Sequence, residues 1–296
     1  MSKIQQWEAE CIWQAKATLA EGPCWLLDRQ ALLWVDIESC EVHCLDPARG
    51  QDQLWKLPCH VGVAVPTRRG DFLTATRDGF MRLDPETGQT TAIADPESDR
   101  PGNRFNDGKC DPQGRFWAGT LSYQRIPNSA ALYRLDPDLS VHRMLTGVTT
   151  SNGMAWSMDG RTMYYIDTPT RRVDAFDFDP EAGTISNRRT VLEIPESLGK
   201  PDGMTIDEEG MLWVALWGGW GVGRWNPRTG QLLGKVAVPA ERTSSCCFGG
   251  SDLSTLFITT ARTGLSPDAL EQQPLAGSIF AVDTGHRGLA PVAFAG

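Results

Sequence analysis

The sequence has few of the residues and runs on which several large protein classes depend. Only four histidines occur among 296 residues, and neither an HExxH nor a CxxC motif is present, which excludes the common zinc sites built on those motifs. No segment approaches the length of about 18 apolar residues that spans a membrane. The first residues lack the basic and apolar regions of a secretory signal. We therefore expect a cytoplasmic protein with reduced cysteines.

Clustered basic residues are also rare. The net charge is −9, and basic residues adjoin one another at most in pairs, such as Arg171-Arg172 and Arg188-Arg189. Binding to a phosphate backbone draws on clustered Lys and Arg, so this balance argues against nucleic acid as a partner. We expect a small-molecule partner, no membrane association, and a monomer or weak homo-oligomer.

Eight cysteines are present, and two of them form a Cys40-x-x-x-Cys44 spacing with His43, Cys59 and His60 nearby. This arrangement leaves a structural zinc site open as an alternative. However, residues 31–46 have the pattern of strands joined by a tight hairpin, where a reduced cysteine behaves as a small apolar residue. We therefore expect these cysteines to be ordinary strand and hairpin residues rather than zinc ligands.

An internal repeat predicts the fold. Six times, a short run of aromatic and β-branched residues is followed by a second strand-like run, which usually closes on Asp or Asn, Pro and Gly. The first runs begin at Leu33, Phe72, Phe116, Met163, Leu212 and Leu256, so successive starts lie 39 to 49 residues apart. This is the length of one four-stranded propeller blade. A β-sandwich also has many short strands, but it does not require such a repeat.

Turns separate the strands, and almost nothing has a helical pattern. The closing motif is typified by Asp84-Pro85-Glu86-Thr87-Gly88, and a second turn such as Asp111-Pro112-Gln113-Gly114 precedes the aromatic strand. A helical turn is expected only at residues 267–272. We predict an all-β, six-bladed β-propeller with four-stranded antiparallel blades around a central channel, formed by one domain over residues 1–296.

Polar residues recur about ten to twelve positions before the aromatic runs, where the first strand of each blade should line the channel. Four of six repeats place an acid or amide there, followed by glycine: Glu21-Gly22, Asn106-Asp107-Gly108, Asn152-Gly153 and Asp202-Gly203. The other two repeats have Val61-Gly62 and Cys246-Cys247. Each Asn-Gly or Asp-Gly pair alone could be a turn dipeptide. The shared position instead favours a common site.

The chemistry of this set favours a divalent cation. Buried carboxylates are costly unless they are paired or bound to a metal. Glu21 and Asp202 supply two negative charges, and asparagine side chains supply neutral carbonyl oxygens. Such a site suits Ca²⁺, Zn²⁺, Mn²⁺, Mg²⁺ or Fe²⁺, and the ligands do not choose among them. Water or substrate should complete the coordination.

Four segments carry a resemblance to a known family. They are Leu19-Ala20-Glu21-Gly22-Pro23, Arg104-Phe105-Asn106-Asp107-Gly108-Lys109, Ser151-Asn152-Gly153-Met154-Ala155-Trp156-Ser157 and Pro201-Asp202-Gly203-Met204-Thr205-Ile206-Asp207. In this order they resemble the signature segments of the regucalcin (senescence marker protein)/gluconolactonase family. The resemblance implies a six-bladed propeller that hydrolyses sugar lactones with one divalent metal. It implies Glu21, Asn152 and Asp202 as metal ligands, and Arg104 and Asn106 as substrate contacts.

One departure from the family pattern concerns the substrate. Where the family has a substrate-contacting glutamate after an Ala-Gly-Thr strand, this chain has Gln124, so Gln124 is the third expected substrate contact and the sugar is left open. Other segments are similar to bacterial pentono- and aldonolactonases. Asp202 is the expected catalytic base, with a hydroxide on the metal as the alternative. A phosphotriesterase-like hydrolase, a calcium-binding regulatory protein and a scaffold for protein partners remain alternative functions.

Overall fold

The computed structural model describes residues 4–296 and contains six small β-sheets arranged as the blades of a ring. Within each blade the four strands are antiparallel neighbours. The chain is therefore a six-bladed β-propeller, as the repeat predicts, and the sandwich alternative is wrong. Over the described residues, no helix has the length and apolarity needed to cross a bilayer.

Two short strands precede the first blade, namely β1 (Gln5–Glu8) and β2 (Glu10–Trp13). The first three blades then follow in chain order. Blade one contains β3 (Ala20–Leu26), β4 (Ala31–Asp36), β5 (Glu41–Asp46) and β6 (Gln51–Lys56). Blade two contains β7 (Val61–Pro66), β8 (Phe72–Thr76), β9 (Gly79–Leu83) and β10 (Thr90–Ala94). Blade three contains β11 (Asn103–Cys110), β12 (Phe116–Ser122), β13 (Ala130–Leu135) and β14 (Val141–Val148).

The last three blades complete the ring. Blade four contains β15 (Ser151–Trp156), β16 (Thr162–Asp167), β17 (Arg172–Asp179) and β18 (Thr184–Glu193). Blade five contains β19 (Lys200–Ile206), β20 (Leu212–Trp217), β21 (Gly221–Trp225) and β22 (Leu232–Ala237). Blade six contains β23 (Thr243–Gly249), β24 (Thr255–Thr260) and β25 (Ile279–Asp283). The helical segments are 3-10 turns at Thr168–Thr170 and Glu196–Leu198, and α1 at Pro267–Gln272, where the sequence predicts a helical turn.

The two ends of the chain close the ring together. Strand β2 pairs antiparallel with β25, so the fourth strand of blade six comes from the N-terminal segment. Strand β1 adds a fifth, parallel strand to the edge of blade five. The N-terminal strands thus cover the outer edges of β25 and β22 and hold the two ends of the chain together.

The aromatic run of each repeat becomes the second strand of its blade. The tryptophans of three such strands, Trp34, Trp117 and Trp213, are at most 1% exposed. Blades three and five also use the turn before that strand. Trp117 donates its indole N–H to Asp111 at 3.0 Å, and Trp213 donates to Asp207 at 2.9 Å. The turns that begin at these two aspartates therefore also satisfy a buried polar group.

The cysteine-rich segment is a hairpin, and within residues 4–296 its Cys and His side chains form no group that could hold a metal ion. Cys40 lies in the turn between β4 and β5 with φ 59°, and Cys44 lies within β5. All eight cysteines are free thiols. Burial raises the pKa of Cys44 to about 11, which keeps this thiol neutral near pH 7.

Candidate metal and substrate site

The first strand of every blade lines the channel and changes register near its beginning. In all six blades the pairing with the second strand is interrupted there, for example between Glu21 and Cys24, between Ser151 and Met154, and between Pro201 and Met204. A β-bulge bends a strand and re-aims its side chains. The polar residues that recur in the repeat lie at these irregularities, within strands, so the turn-dipeptide alternative is wrong.

Close packing around the axis explains several of the glycines at this point of the repeat. A Cβ on Gly153 would lie 2.6 Å from Cβ of Met204 and 2.7 Å from the carbonyl oxygen of Asp202. A Cβ on Gly62 would lie 2.6 Å from the carbonyl oxygen of Phe105. Neighbouring first strands therefore approach one another more closely than a residue with a Cβ allows.

Glu21, Asn152 and Asp202 are brought to one cavity from blades one, four and five. Each is at most 6% exposed, and together they line a cavity of about 670 Å³ at the face of the ring where the first strands begin. Arg104 and Asn106 from blade three line the same cavity. Five of the six residues that the sequence predicts for the site thus lie around one space.

Gln124 is placed differently. It is exposed in the loop between β12 and β13 and does not line the cavity, whereas its neighbour Arg125 does. The backbone of Arg125 has φ 55°, a left-handed conformation that is uncommon for residues other than glycine. This loop therefore offers an arginine to the cavity at the place where the resemblance suggests a polar contact.

A line of hydrogen bonds fixes the amides of the site. Arg104 donates to Oδ1 of Asn106 at 2.8 Å, and Asn106 donates to Oδ1 of Asn152 at 3.3 Å. Nδ2 of Asn152 donates to Thr168 at 2.8 Å, and Thr168 donates to the carbonyl oxygen of Pro201 at 2.9 Å. Blades three, four and five are thereby connected, and Oδ1 of Asn152 is oriented.

Like charges face one another across the channel. Burial raises the pKa of Glu21 well above its ordinary value, and the negative charges of Asp202 and Asp107 raise it further. Burial and the charge of Asp107 also raise the pKa of Asp202, against the opposing effects of Arg125, a hydrogen bond from Asn152, and Arg104. Without another positive charge, these carboxyls are therefore held toward their neutral forms.

The donor set fits a divalent cation. In the part of the chain that the structure describes, neither Glu21 nor Asp202 has a cationic partner within 4.0 Å, although both are buried. Within residues 4–296 no three His, Cys, Asp or Glu side chains are grouped so that they could hold a metal ion. A cation at this cavity would therefore also need a neutral ligand. A cation here would have two carboxylates, the amide oxygen of Asn152, and water or substrate. Such an all-oxygen shell, only partly supplied by the protein, suits a divalent cation, and these ligands do not choose among Ca²⁺, Zn²⁺, Mn²⁺, Mg²⁺ and Fe²⁺.

Several residues of the cavity lie outside the sequence prediction. They come from the loops after the second strands and from the starts of the first strands, and include Arg125, Thr168, Arg171, Lys200, Trp217 and Arg242. The signal that could find them is topological. In an antiparallel blade the second strand ends at the face where the first begins, so the loop that follows it borders the channel mouth.

Asp107 faces the other end of the channel. It lines a second cavity of about 230 Å³, bordered mainly by apolar residues, which include residues 289–292. Burial raises its pKa, opposed by Lys109 and by the backbone N–H of Gly108. The adjacent residues Asn106 and Asp107 thus line different cavities, because the bulge in β11 separates the directions of their side chains.

Comparison with known proteins agrees with this architecture. The chain matches the family described as "SMP-30/Gluconolactonase/LRE-like region" over residues 19–262. It is 43% identical to regucalcin of Danio rerio over the full length of both chains. It is 39% identical to YvrE of Bacillus subtilis, provisionally named a sugar lactone lactonase, with 95% of this chain and 96% of that protein covered.

A solved structure shows the same ring. A calcium-binding protein, regucalcin, from Agrobacterium tumefaciens superposes with a TM-score of 0.94 at 27% identity, covering 99% of each chain. The family match extends over most of the chain and includes all four channel segments. This protein therefore belongs to the SMP-30/gluconolactonase/LRE-like family, in agreement with the resemblance carried by those segments.

Proposed function

We propose that the protein hydrolyses a sugar lactone to the open-chain aldonic acid with the help of one divalent metal ion. The observation that carries the proposal is the pair of buried carboxylates, Glu21 and Asp202, without cationic partners in the described chain, at a cavity large enough for a sugar. The provisional name of YvrE and the gluconolactonase part of the family description support the same reaction class.

The metal would be held by Glu21, Asn152 and Asp202. When bound, it supplies a positive charge that polarises the lactone carbonyl and stabilises the oxyanion of the tetrahedral intermediate. All three side chains come from different blades. The rigid ring, rather than a flexible loop, therefore sets their separation.

Asp202 is the proposed general base. It would accept a proton from the water whose oxygen attacks the carbonyl carbon, and the ring C–O bond would then break. The departing ring oxygen takes up a proton and becomes a hydroxyl of the aldonic acid. Because a carboxylate has two oxygens, Asp202 would be able to serve both as a metal ligand and as the base for the attacking water.

Arg104 and Asn106 would bind and orient the sugar. Burial lowers the pKa of Arg104 to about 10, so the guanidinium remains charged near pH 7 and can donate to substrate oxygens. One of its nitrogens already donates to Phe105 and Asn106. Those bonds fix the direction of the remaining donors toward the cavity that Arg104 lines.

The proposal is tested by lactone turnover with a series of divalent metals. Purified protein is stripped with a chelator and assayed on xylono-, arabinono-, galactono- and gluconolactone after addition of Ca²⁺, Mg²⁺, Mn²⁺, Zn²⁺ or Fe²⁺. We expect turnover that depends on metal and is lost in Asp202→Asn, with circular dichroism unchanged. Equal turnover before and after stripping, or in the variant, would contradict it.

Calcium binding without catalysis is the second candidate, favoured by the description of the Agrobacterium tumefaciens relative as a calcium-binding protein. The two functions differ in one measurement. A binding protein would take up Ca²⁺, as seen by calorimetry, while hydrolysing none of the lactones. The cavity beyond the carboxylates favours catalysis, because binding an ion alone does not require room for a sugar.

A further inference from the structure

Five cationic side chains line the cavity of about 670 Å³. They are Arg104, Arg125, Arg171, Lys200 and Arg242, and they come from blades three to six and the loops beside them. The chain as a whole has a net charge of −9. The concentration of positive charge at this face is therefore a local feature that runs against the overall charge of the protein.

None of these five cations has a carboxylate partner within 4.0 Å in the described chain. Elsewhere, buried arginines are paired, as Arg115 is with Asp111 at 2.6 Å and Arg224 with Asp207 at 2.8 Å. Arg171 and Arg242 are held by backbone carbonyls, to Pro195 at 3.0 Å and Gly264 at 2.7 Å respectively. Carbonyl oxygens orient a guanidinium but leave its net charge in place.

Arg125 and Lys200 have the freest side chains of the set. Both are exposed, and neither side chain makes a hydrogen bond within residues 4–296. The positive charge of Arg125 lowers the pKa of both Asp202 and Arg104. This charge therefore lies near the residues proposed to hold the metal and the sugar. These two groups are therefore positioned to bind something that the protein itself does not supply.

The charges around the cavity do not balance even with a metal bound. A divalent ion would offset Glu21 and Asp202, which leaves Glu38 as the remaining acid of the lining against five cations, an excess of four positive charges. A neutral sugar would accept hydrogen bonds from arginine, but it would not relieve this repulsion. An anionic group on the substrate would.

We propose that the substrate is a sugar lactone that carries an anionic substituent, a carboxylate or a phosphate monoester, and that Arg125 and Lys200 bind this group at the cavity mouth. The inference rests on the proposed lactonase function and adds the substrate class. Arginine binds either oxyanion through two parallel hydrogen bonds, and lysine contributes a point charge. The same field would steer an anionic substrate into the cavity.

The test compares lactones with and without an anionic group at the terminal carbon. The metal-loaded protein is assayed on gluconolactone against glucarolactone, in which a carboxylate replaces the terminal CH2OH group. It is also assayed on gluconolactone against phosphogluconolactone, in which the terminal hydroxyl carries a phosphate. Each pair is matched in ring size. We expect kcat/KM to favour at least one charged lactone by about tenfold, and the preference to shrink as salt is raised.

Two substitutions and a control identify the residues responsible. Arg125→Gln and Lys200→Gln should each lower the ratio of charged to neutral kcat/KM about fivefold or more. Arg49→Gln removes a cation that is 76% exposed on the opposite face of blade one, and it should leave the ratio unchanged. Thermal melts check that the variants are folded.

The outcomes separate the two proposals. If no lactone is hydrolysed, the proposed function fails and this inference with it. If neutral gluconolactone is hydrolysed at least as well as both charged lactones, or if Arg125→Gln and Lys200→Gln leave the ratio where Arg49→Gln leaves it, the inference fails while the lactonase function stands. A preference for only one charged lactone supports the inference and identifies the anionic group.

Discussion

Asn106 donates a hydrogen bond from its side-chain nitrogen to Oδ1 of Asn152 at 3.3 Å, across the boundary between blades three and four. Its second donor proton goes to the carbonyl oxygen of Ser151 at 2.8 Å. Asn106 is thus held by Arg104 on one side and holds Asn152 on the other. A residue that could be mistaken for part of a turn instead orients a proposed metal ligand.

Asn106→Ala should weaken metal binding without unfolding the protein. The variant leaves Oδ1 of Asn152 without its donor, and loss of such an outer partner costs about 10- to 100-fold in metal affinity. Calorimetric titration with Mn²⁺ or Ca²⁺ measures the change. Gln231→Ala, at an exposed amide remote from the channel, is the control. Unchanged affinity in Asn106→Ala would show that Asn152 needs no such support.

The metal-free protein should become less stable as pH rises. In the unfolded chain the carboxyls of Glu21 and Asp202 have ordinary pKa values of 4.5 and 3.8, and in the fold both pKa values are raised. The folded state therefore binds the extra protons, and the resulting stability is complete below the unfolded pKa values and lost as pH rises through the raised ones. Melting temperature measured between about pH 5 and pH 8 should fall.

A divalent metal should reverse this trend. The ion binds the charged carboxylates, so its stabilising effect should be larger at about pH 8 than at about pH 5, and near 3 kcal/mol at a concentration about 100 times its Kd. Glu21→Gln should flatten the pH dependence of the metal-free protein and reduce the metal effect. A metal-induced rise in melting temperature that is the same at both pH values would contradict the proposal that Glu21 and Asp202 bind the metal.

Arg104→Ala should impair catalysis while metal is retained. The guanidinium is buried beside Asn106 and within 5.9 Å of the Tyr123 ring, and it lines the cavity without being a proposed ligand. We expect kcat/KM to fall about 100-fold, because binding of the substrate is weakened while binding of the metal ion is largely retained. Elemental analysis gives the metal content. Loss of metal in the variant would make Arg104 a structural residue.

The matched control for this variant is Arg143→Ala. Arg143 is exposed in the outermost strand of blade three, so its loss should leave kcat/KM and metal content unchanged. A similar fall in both variants would trace the effect to general loss of positive charge.

Gly153→Ala should destabilise the ring. The added Cβ would lie 2.6 Å from Met204 and 2.7 Å from the Asp202 carbonyl oxygen, and such overpacking costs about 1–3 kcal/mol. Gly102→Ala is the matched control, because a Cβ there meets nothing within 4 Å. Chemical denaturation compares the two. Equal stability would mean that neighbouring first strands can separate at no cost.

The repeat predicts the architecture because each blade must bury an aromatic strand between two neighbours. The aromatic runs that start at Leu33, Phe116 and Leu212 in the sequence all lie in observed second strands. The tryptophan that follows each of these residues is buried. The same periodicity places Glu21, Asn152 and Asp202 at equivalent points of separate repeats. In a closed ring, equivalent points of different blades face one another, so their meeting at one cavity follows from the pattern.

Other features required the folded structure. Asn106 and Asp107 are neighbours in sequence, and only the bulge in β11 decides that the first lines the larger cavity and the second the smaller one. Gln124 and Arg125 lie in a loop whose path has no repeat to predict it, and the left-handed conformation at Arg125 accompanies its place at the cavity.

The sequence by itself determined the number of blades, the strand that faces the channel and the residues proposed to hold a metal, because these depend on a period and on the chemistry of each side chain. Only the tertiary structure decided which loop side chains reach the cavity and how its charges balance. Those depend on distances between residues far apart in the chain, and no local pattern encodes them.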